Sequence, residues 1–315
     1  MATGRYAGWA LILMSAVFAR ALCAPPALAE NVEPPPPPRD CRYLHTEDPV
    51  AAQTAEAHRG ERFPKDDVFR PLTADPKEPR FLATYQRVRF RDAHDSINAG
   101  FVGFGENFGI WGKRQEKGCD GWQIGVLGAV FSQFNLDGPS TDLINSDFLL
   151  GFPLTWRSGI LSGRVRAFHQ SSHLGDEFIL NRPGFQRINL SFEEIDTLLS
   201  VDLRRLRLYG GGGYIVHREP ELKRGKAQWG LELRSSKGVA FITGTPILIA
   251  AADFKSFEQQ GWNVNSNVVG GLEWYAPRAT RRFRIFVNWY YGYNPYGQFL
   301  TQKIQTIGAG FYFGF

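Results

Sequence analysis

The sequence predicts an all-β chain in which residues 80–315 form a transmembrane, antiparallel, up-and-down β-barrel of about 12 strands. Three observations predict it. From about Arg80 onward, successive segments alternate apolar with polar or small side chains. An apolar leader stands at the N-terminus, and no later stretch supplies the roughly twenty apolar residues that a membrane helix needs. The chain closes on a strand whose apolar face ends in Phe315. A chain that enters a membrane without helices must do so as a closed barrel, because only closure pairs every backbone group in lipid.

The alternation is cleanest between Trp262 and Tyr275. Trp262, Val264, Val268, Leu272 and Trp274 share one face, and Asn263, Asn265, Asn267 and Glu273 share the other. Phe283 to Tyr293 repeats the design, with Phe283, Ile285, Val287, Trp289 and Tyr291 opposed to Arg282, Arg284 and Asn288. Trp229, Leu231 and Leu233 likewise oppose Lys226, Gln228, Glu232 and Arg234. Period-two alternation with aromatics near the strand ends is what a lipid-facing wall with aromatic girdles requires. Such segments lie near 80–91, 98–111, 121–134, 145–156, 159–172, 187–203, 204–217, 226–236, 245–255, 262–275, 281–293 and 303–315. Between Phe192 and Ile195 the apolar phase flips, which predicts a bulge or a broken strand. Gly210 to Gly213 has the glycine density of a phosphate-binding loop, but no Lys-Ser/Thr follows and no helix is due. It is read as a strand kept small for close packing.

Composition agrees with this class. Charged residues make up 21% and aromatics 14%, with 34 glycines, too little charge and too much glycine for a helical cytosolic enzyme. The net charge of +5 is spread along the chain, so no nucleic-acid partner is expected. Residues 1–29 read as a secretory signal peptide: Arg5 supplies the positive charge, Ala7 to Ala19 the apolar core, and Ala27-Leu28-Ala29 the small-x-small cleavage pattern. Cleavage after Ala24 is the competing site, and a lipoprotein reading through Cys23 has Arg20 and Leu22 against it. Residues 30–79, with the run Pro34 to Pro38, are expected to form a Pro-rich N-terminal extension in the periplasm.

The terminal strand carries Ile307, Ala309, Phe311, Phe313 and Phe315 on one face. It resembles the recognition strand read by the barrel-assembly machinery of Gram-negative bacteria, with Gly310, Phe313 and Phe315 in the expected places; the polar residue usual at Gly308 is missing. The expected location is therefore the outer membrane, with the assembly machinery and outer-membrane lipid as partners. An even strand count puts both termini in the periplasm. Cys41 and Cys119 then share that side, where either a disulfide or two free thiols are chemically possible.

One constellation can carry chemistry. In Arg164 to Phe178, alternation puts His169, Ser171 and His173 on one face and Arg164, Arg166 and Ser172 on the other. An arginine facing lipid at the midplane costs roughly 2–4 kcal/mol, so the arginines must face the lumen and His169 with Ser171 must face outward. Side by side on one strand face, the imidazole can take the hydroxyl proton, as nucleophilic ester cleavage needs. The plainer reading is a hydrated rim residue or a partner of lipid headgroups. Zinc on His169, His173 and Asp176 lacks a closed ligand set, so no metal centre is expected.

His169-Gln170-Ser171 resembles the His-x-Ser motif of outer membrane phospholipase A, a twelve-stranded barrel, and of the lipid A deacylases. Those families present the pair to the outer leaflet and orient the His with an Asn or Glu. The resemblance implies Ser171 as nucleophile, His169 as base and Asn181, beside Arg182, as third member; Asn189 and Glu193 are the alternatives. Ser172 stands where those families usually have Asn. Asp176 and Glu177, in the same outer loop, could hold calcium. The longer stretch from His169 to Phe178, with Phe69-Arg-Pro-Leu-Thr-Ala-Asp-Pro upstream, resembles an exported bacterial family known as domain of unknown function number 1207 over most of residues 65–315. That family brings no activity with it. The alternatives left open are an outer-membrane barrel of undetermined activity, an acyl-ester hydrolase and, third, a narrow channel.

Overall fold

The computed structural model describes residues 58–64, 67–93, 95–115, 120–138, 140–276 and 281–314. Residues 1–29, read above as a signal peptide, and Cys41, Cys119 and Phe315 lie outside them. Each of the twelve alternating segments of the sequence forms a strand, preceded by one more that the alternation does not announce: β1 (His58–Arg62), β2 (Phe81–Phe90), β3 (Ser96–Gln115), β4 (Gly121–Asn135), β5 (Asp142–Ser158), β6 (Leu161–Leu174), β7 (Leu190–Leu203), β8 (Leu206–Glu219), β9 (Gly225–Arg234), β10 (Ile247–Phe257), β11 (Val264–Ala276), β12 (Arg281–Tyr293) and β13 (Lys303–Gly314). A short helix, α1 (Asp176–Leu180), sits between β6 and β7. Strands β2 to β13 pair antiparallel in sequence order, and β13 returns to β2, from Phe313 against Phe81 to Ile304 against Phe90. The result is a closed barrel of twelve strands. β1 lies outside the count and pairs with residues 111–115 of β3, below the start of β2.

Closure puts the greasy side chains on the outside, the reverse of a water-soluble protein. Phe148, Leu150, Phe152 and Leu154 of β5 are exposed, while Asp147, Thr155 and Arg157 of the same strand are buried. Near the rim where β2 begins and β13 ends, here the proximal rim, Trp111 packs edge-on against Trp122 at 5.0 Å, and Trp274 lies tilted against Phe283 at 5.9 Å. Towards the distal rim Trp289 stacks on Tyr291 at 6.0 Å. These are the two aromatic girdles that the alternation predicts.

The bulge lies beside the expected place. Glu193 faces His217 and Glu194 faces Ile215, so the extra residue is Val216, on β8 and not on β7. Strand β7 itself alternates without a break: Glu194, Asp196 and Leu198 are buried and Ile195 and Leu199 exposed. The flip in its chemistry has another cause, since Leu190 and Phe192 line an apolar distal lumen. The Gly210–Gly213 stretch is a strand, and a Cβ on Gly211 would stand 1.9 Å from the Thr197 carbonyl oxygen.

The largest departure from expectation concerns the segment before β2. Residues 67–80 are not part of a periplasmic extension; they are folded into the barrel lumen. Val68, Phe69, Leu72 and Ala74 are buried there, with Arg70, Asp75, Glu78 and Arg80. The segment rises from the proximal side, turns at Asp75–Glu78, where the Glu78 amide donates to the Asp75 carbonyl at 3.3 Å, and descends to β2. Arg80 ties the turn from within by donating to the carbonyls of Thr73 at 2.7 Å and Asp75 at 2.6 Å.

Wall residues receive four of its charges. Arg70 meets Asp202 at 2.7 Å and Glu232 at 3.4 Å, Lys77 meets Asp147 at 2.6 Å, Glu78 meets Arg164 at 2.7 Å, and Asp75 meets Lys255 at 2.5 Å. Arg164 and Arg166 thus face inward, Arg166 pairing with Asp196 at 2.6 Å. The proximal lumen is thus filled by the segment and the wall side chains that answer it. Above the turn the lumen changes character. Phe101, Phe131, Phe168 and Tyr290 of the wall pack with Tyr296 and Phe299 of the last distal loop and Phe178 of α1.

Candidate functional site

The outward face of β6 near the distal rim carries His169, Ser171 and His173. Its neighbours follow from register: His169 faces Leu150 on β5 and Glu193 on β7, and Ser171 faces Phe148 and Ser191. Directly opposite residues on one face have touching side chains, and His169 Nδ1 stands 2.8 Å from Glu193 Oε1. The other carboxylate oxygen, Oε2, is 2.7 Å from His217 Nδ1 on β8. One carboxylate therefore holds two imidazoles across three strands. His169 and Glu193 are about two-fifths exposed, at 42% and 40% of their side-chain surface, so the row is open to whatever surrounds the wall.

With Nδ1 engaged by the carboxylate, the imidazole is fixed in plane and Nε2 is left for other work. Ser171, two residues along the same face, makes no side-chain hydrogen bond among the described residues. In hydrolases without substrate such bonds are often open. His173 sets its ring edge-on to Phe148 at 5.7 Å. Ser172, on the inner face, donates to Asp147 Oδ1 at 2.5 Å and accepts from the Gln298 amide at 3.2 Å, tying the last distal loop across the lumen.

Of the residues proposed as third partner, Asn181 caps the C-terminus of α1 and donates to Asp142 Oδ2 at 3.2 Å. Asn189 is exposed in the segment before β7. Asp176 and Glu177 occupy the exposed first turn of α1. Glu193 is the candidate that the structure brings to His169. His217 was missed. Strand parity alone could have found it once the extra residue at Val216 was known, since that residue turns His217 outward.

A shallow groove runs beside the pair on the outer surface. Phe104, Gly128, Val130, Phe148, Leu150 and His169 line it. Gly128 forms its floor, and a Cβ there would meet nothing within 4 Å.

A twelve-stranded antiparallel barrel with an apolar exterior and polar proximal lumen is the architecture of the outer-membrane barrel class. Within that class the chain belongs to the family described as protein of unknown function (DUF1207), whose model matches residues 37–315. Among solved structures it is similar to outer membrane phospholipase A from Escherichia coli, at 12% identity and a TM-score of 0.50, over 77% of this chain and 92% of that one. An active-site mutant of the same enzyme matches at 13% identity and a TM-score of 0.51, over the same shares. The calcium-bound dimer of the Salmonella typhi outer membrane phospholipase matches at 12% identity and a TM-score of 0.49, over 78% of this chain and 93% of that one. A search of curated proteins returned no match. At such identities the likeness speaks for the fold.

Proposed function

We propose that this protein is an outer-membrane acyl-ester hydrolase that acts on membrane lipid, with Ser171 as nucleophile, His169 as general base and Glu193 as the group that orients the imidazole. One observation carries the reading: His169 Nδ1 is held by Glu193 Oε1 at 2.8 Å while Ser171 shares the same outward face. In this reading the proximal rim faces the periplasm and the row of His169, Glu193 and His217 lies at the level of the outer leaflet.

The chemistry follows from the arrangement. His169 Nε2 takes the proton from Ser171 Oγ as the oxygen attacks the ester carbonyl. The tetrahedral adduct collapses, the C–O bond to the alcohol breaks, and the imidazolium returns the proton to the leaving oxygen. Water then attacks the acyl-serine by the same route, releasing the fatty acid and restoring Ser171. Glu193 keeps the imidazole in the tautomer that presents a bare Nε2 and stabilises the imidazolium. Calcium belongs to the proposal as a charge that carboxylates of the distal loop, Asp176 and Glu177, could recruit.

Two expected results test the reading. Glu193→Ala should lower kcat for a long-chain ester by about 10- to 100-fold, as removal of an orienting or proton-transfer group does, with Glu193→Gln retaining more of the rate. Refolded protein in detergent micelles, assayed with and without calcium, gives the measurement; an unchanged kcat in Glu193→Ala would remove Glu193 from the mechanism. Gly128→Phe, which fills the outer groove, should depress hydrolysis of sixteen-carbon esters while leaving four-carbon esters near the parental rate. Equal loss on both would show that the groove does not seat the chain.

A further inference from the structure

We propose that the cavity in the distal half of the lumen binds a protonated amine carried on an apolar body, with Asp253 as its counter-ion. This site is on the inner face of the wall and independent of the outward His169 row, so the two readings stand or fall separately.

The cavity lies above the turn of the lumenal segment and opens between the distal loops, with an empty volume of about 1180 Å³ that takes in its mouth. Leu149, Phe168, Phe192, Ile215 and Tyr290 supply apolar and aromatic walls. Apolar walls around a few convergent polar groups are the usual make-up of a small-molecule site. The floor is charged. Asp75 and Lys77 of the turn meet Arg166, Glu194, Lys226, Asp253 and Lys255 of the strands.

Pairing on that floor is nearly complete. Lys77 is held by Asp147 at 2.6 Å, Arg166 by Asp196 at 2.6 Å, Lys226 by Glu194 and, at 3.2 Å, by Asp196, and Lys255 by Asp75 at 2.5 Å. Asp253 is the exception. It is 1% exposed, and among the described residues no cation lies within ion-pair distance. Its Oδ2 accepts from Tyr209 Oη and from Gln228 Nε2, each at 2.8 Å. The same Gln228 nitrogen donates to Asp75 Oδ2 at 3.0 Å. One amide therefore bridges two carboxylates, and the ammonium of Lys255 is paired to only one of them, Asp75.

A buried carboxylate without a cation is costly, and neutral hydrogen bonds offset only part of that cost. An ammonium arriving from the mouth meets a carboxylate already desolvated and aimed by two donors, so little reorganisation opposes binding. A carboxylate ligand of the same shape meets Asp253 with like charge. A neutral ligand gains only the walls. The cations of the mouth do not reverse this preference at the floor. Arg224 is committed to the carbonyls of Ile215 and Val216 at 2.8 and 2.9 Å, and Lys223 is exposed at the opposite end.

Calorimetry on the full chain in lipid nanodiscs tests the site, with empty nanodiscs as blank and 4-phenylbutylamine, 4-phenylbutanol and 4-phenylbutyrate as probes. The amine is expected to bind saturably, the alcohol at least 10-fold more weakly and the acid not at all. Asp253→Asn should bring the amine down to the level of the alcohol. Equal binding of amine and alcohol, no saturable binding of the amine, or an unaltered amine affinity in Asp253→Asn would each overturn the proposal. Should Asp253→Asn fail to fold, Ile215→Trp fills the cavity from the wall, away from the charges. It is expected to abolish amine binding, and undiminished binding would count equally against the site.

Discussion

Ser171→Ala is expected to lower acyl-ester hydrolysis on the order of 10³-fold or more, because deleting the nucleophile of a Ser–His pair leaves only binding and charge stabilisation. The barrel should be unaffected. Ser171 faces outward, makes no side-chain hydrogen bond among the described residues, and loses only an oxygen. The comparison that decides is kcat/KM of refolded parent and variant on one long-chain ester, with heat-modifiable gel mobility as the check on folding. A variant with the parent's rate would place the nucleophile elsewhere, and the outward row of His169, Glu193 and His217 would become a lipid-headgroup contact.

The second large effect concerns stability. Glu232 is fully buried at the proximal end of the lumen, 3.4 Å from both Arg70 and Arg207 and 3.8 Å from Arg234, and it accepts the Thr73 amide at 2.7 Å. It is the negative centre around which three guanidinium groups converge, two from the wall and one from the lumenal segment. Glu232→Ala should destabilise the barrel by roughly 3–5 kcal/mol, the usual consequence of removing one partner from a buried charge cluster. Glu232→Gln keeps an acceptor for Thr73 and should recover about 1 kcal/mol of that loss. Guanidinium unfolding of the refolded protein reads both; a loss below about 1 kcal/mol in Glu232→Ala would show that Asp202 and Glu273 suffice to hold the cluster.

The wall was legible in the sequence because its rule is local. In a barrel strand each residue's side is set by parity, and lipid tolerates few exceptions, so Trp262 to Tyr275 or Phe283 to Tyr293 declare their faces without reference to the rest of the chain. The contents of the lumen obey no such rule. Residues 67–80 have neither period two nor a helical repeat, and their partners are distant: Asp75 meets Lys255 at a separation of 180 positions, and Asn267 donates to the Ala74 carbonyl across 193. Nothing in the segment's own composition distinguishes it from an exposed linker, since its charges are answered only by the wall.

The candidate site was half legible for the same reason. His169 and Ser171 share a strand face and could be placed by parity. Their third partner was sought along the chain at Asn181, but the distal segment folds into α1 and takes that side chain to Asp142. Glu193 reaches His169 through cross-strand register, which depends on how β6 and β7 align. His217 needed the additional residue at Val216, a feature that the sequence flagged on the wrong strand of the pair.

Both limbs of the lumenal segment pass through the same mouth of the barrel, one rising to Asp75 and one descending from Glu78. It is therefore a cork on a tether and not a rod threaded through a ring. Nothing topological prevents the cylinder from forming empty and receiving its stopper afterwards, and withdrawal would require no wall strand to part, only the simultaneous surrender of what the segment touches inside, the ion pairs of Arg70, Asp75, Lys77 and Glu78 and the packing of Phe69 and Leu72 among them.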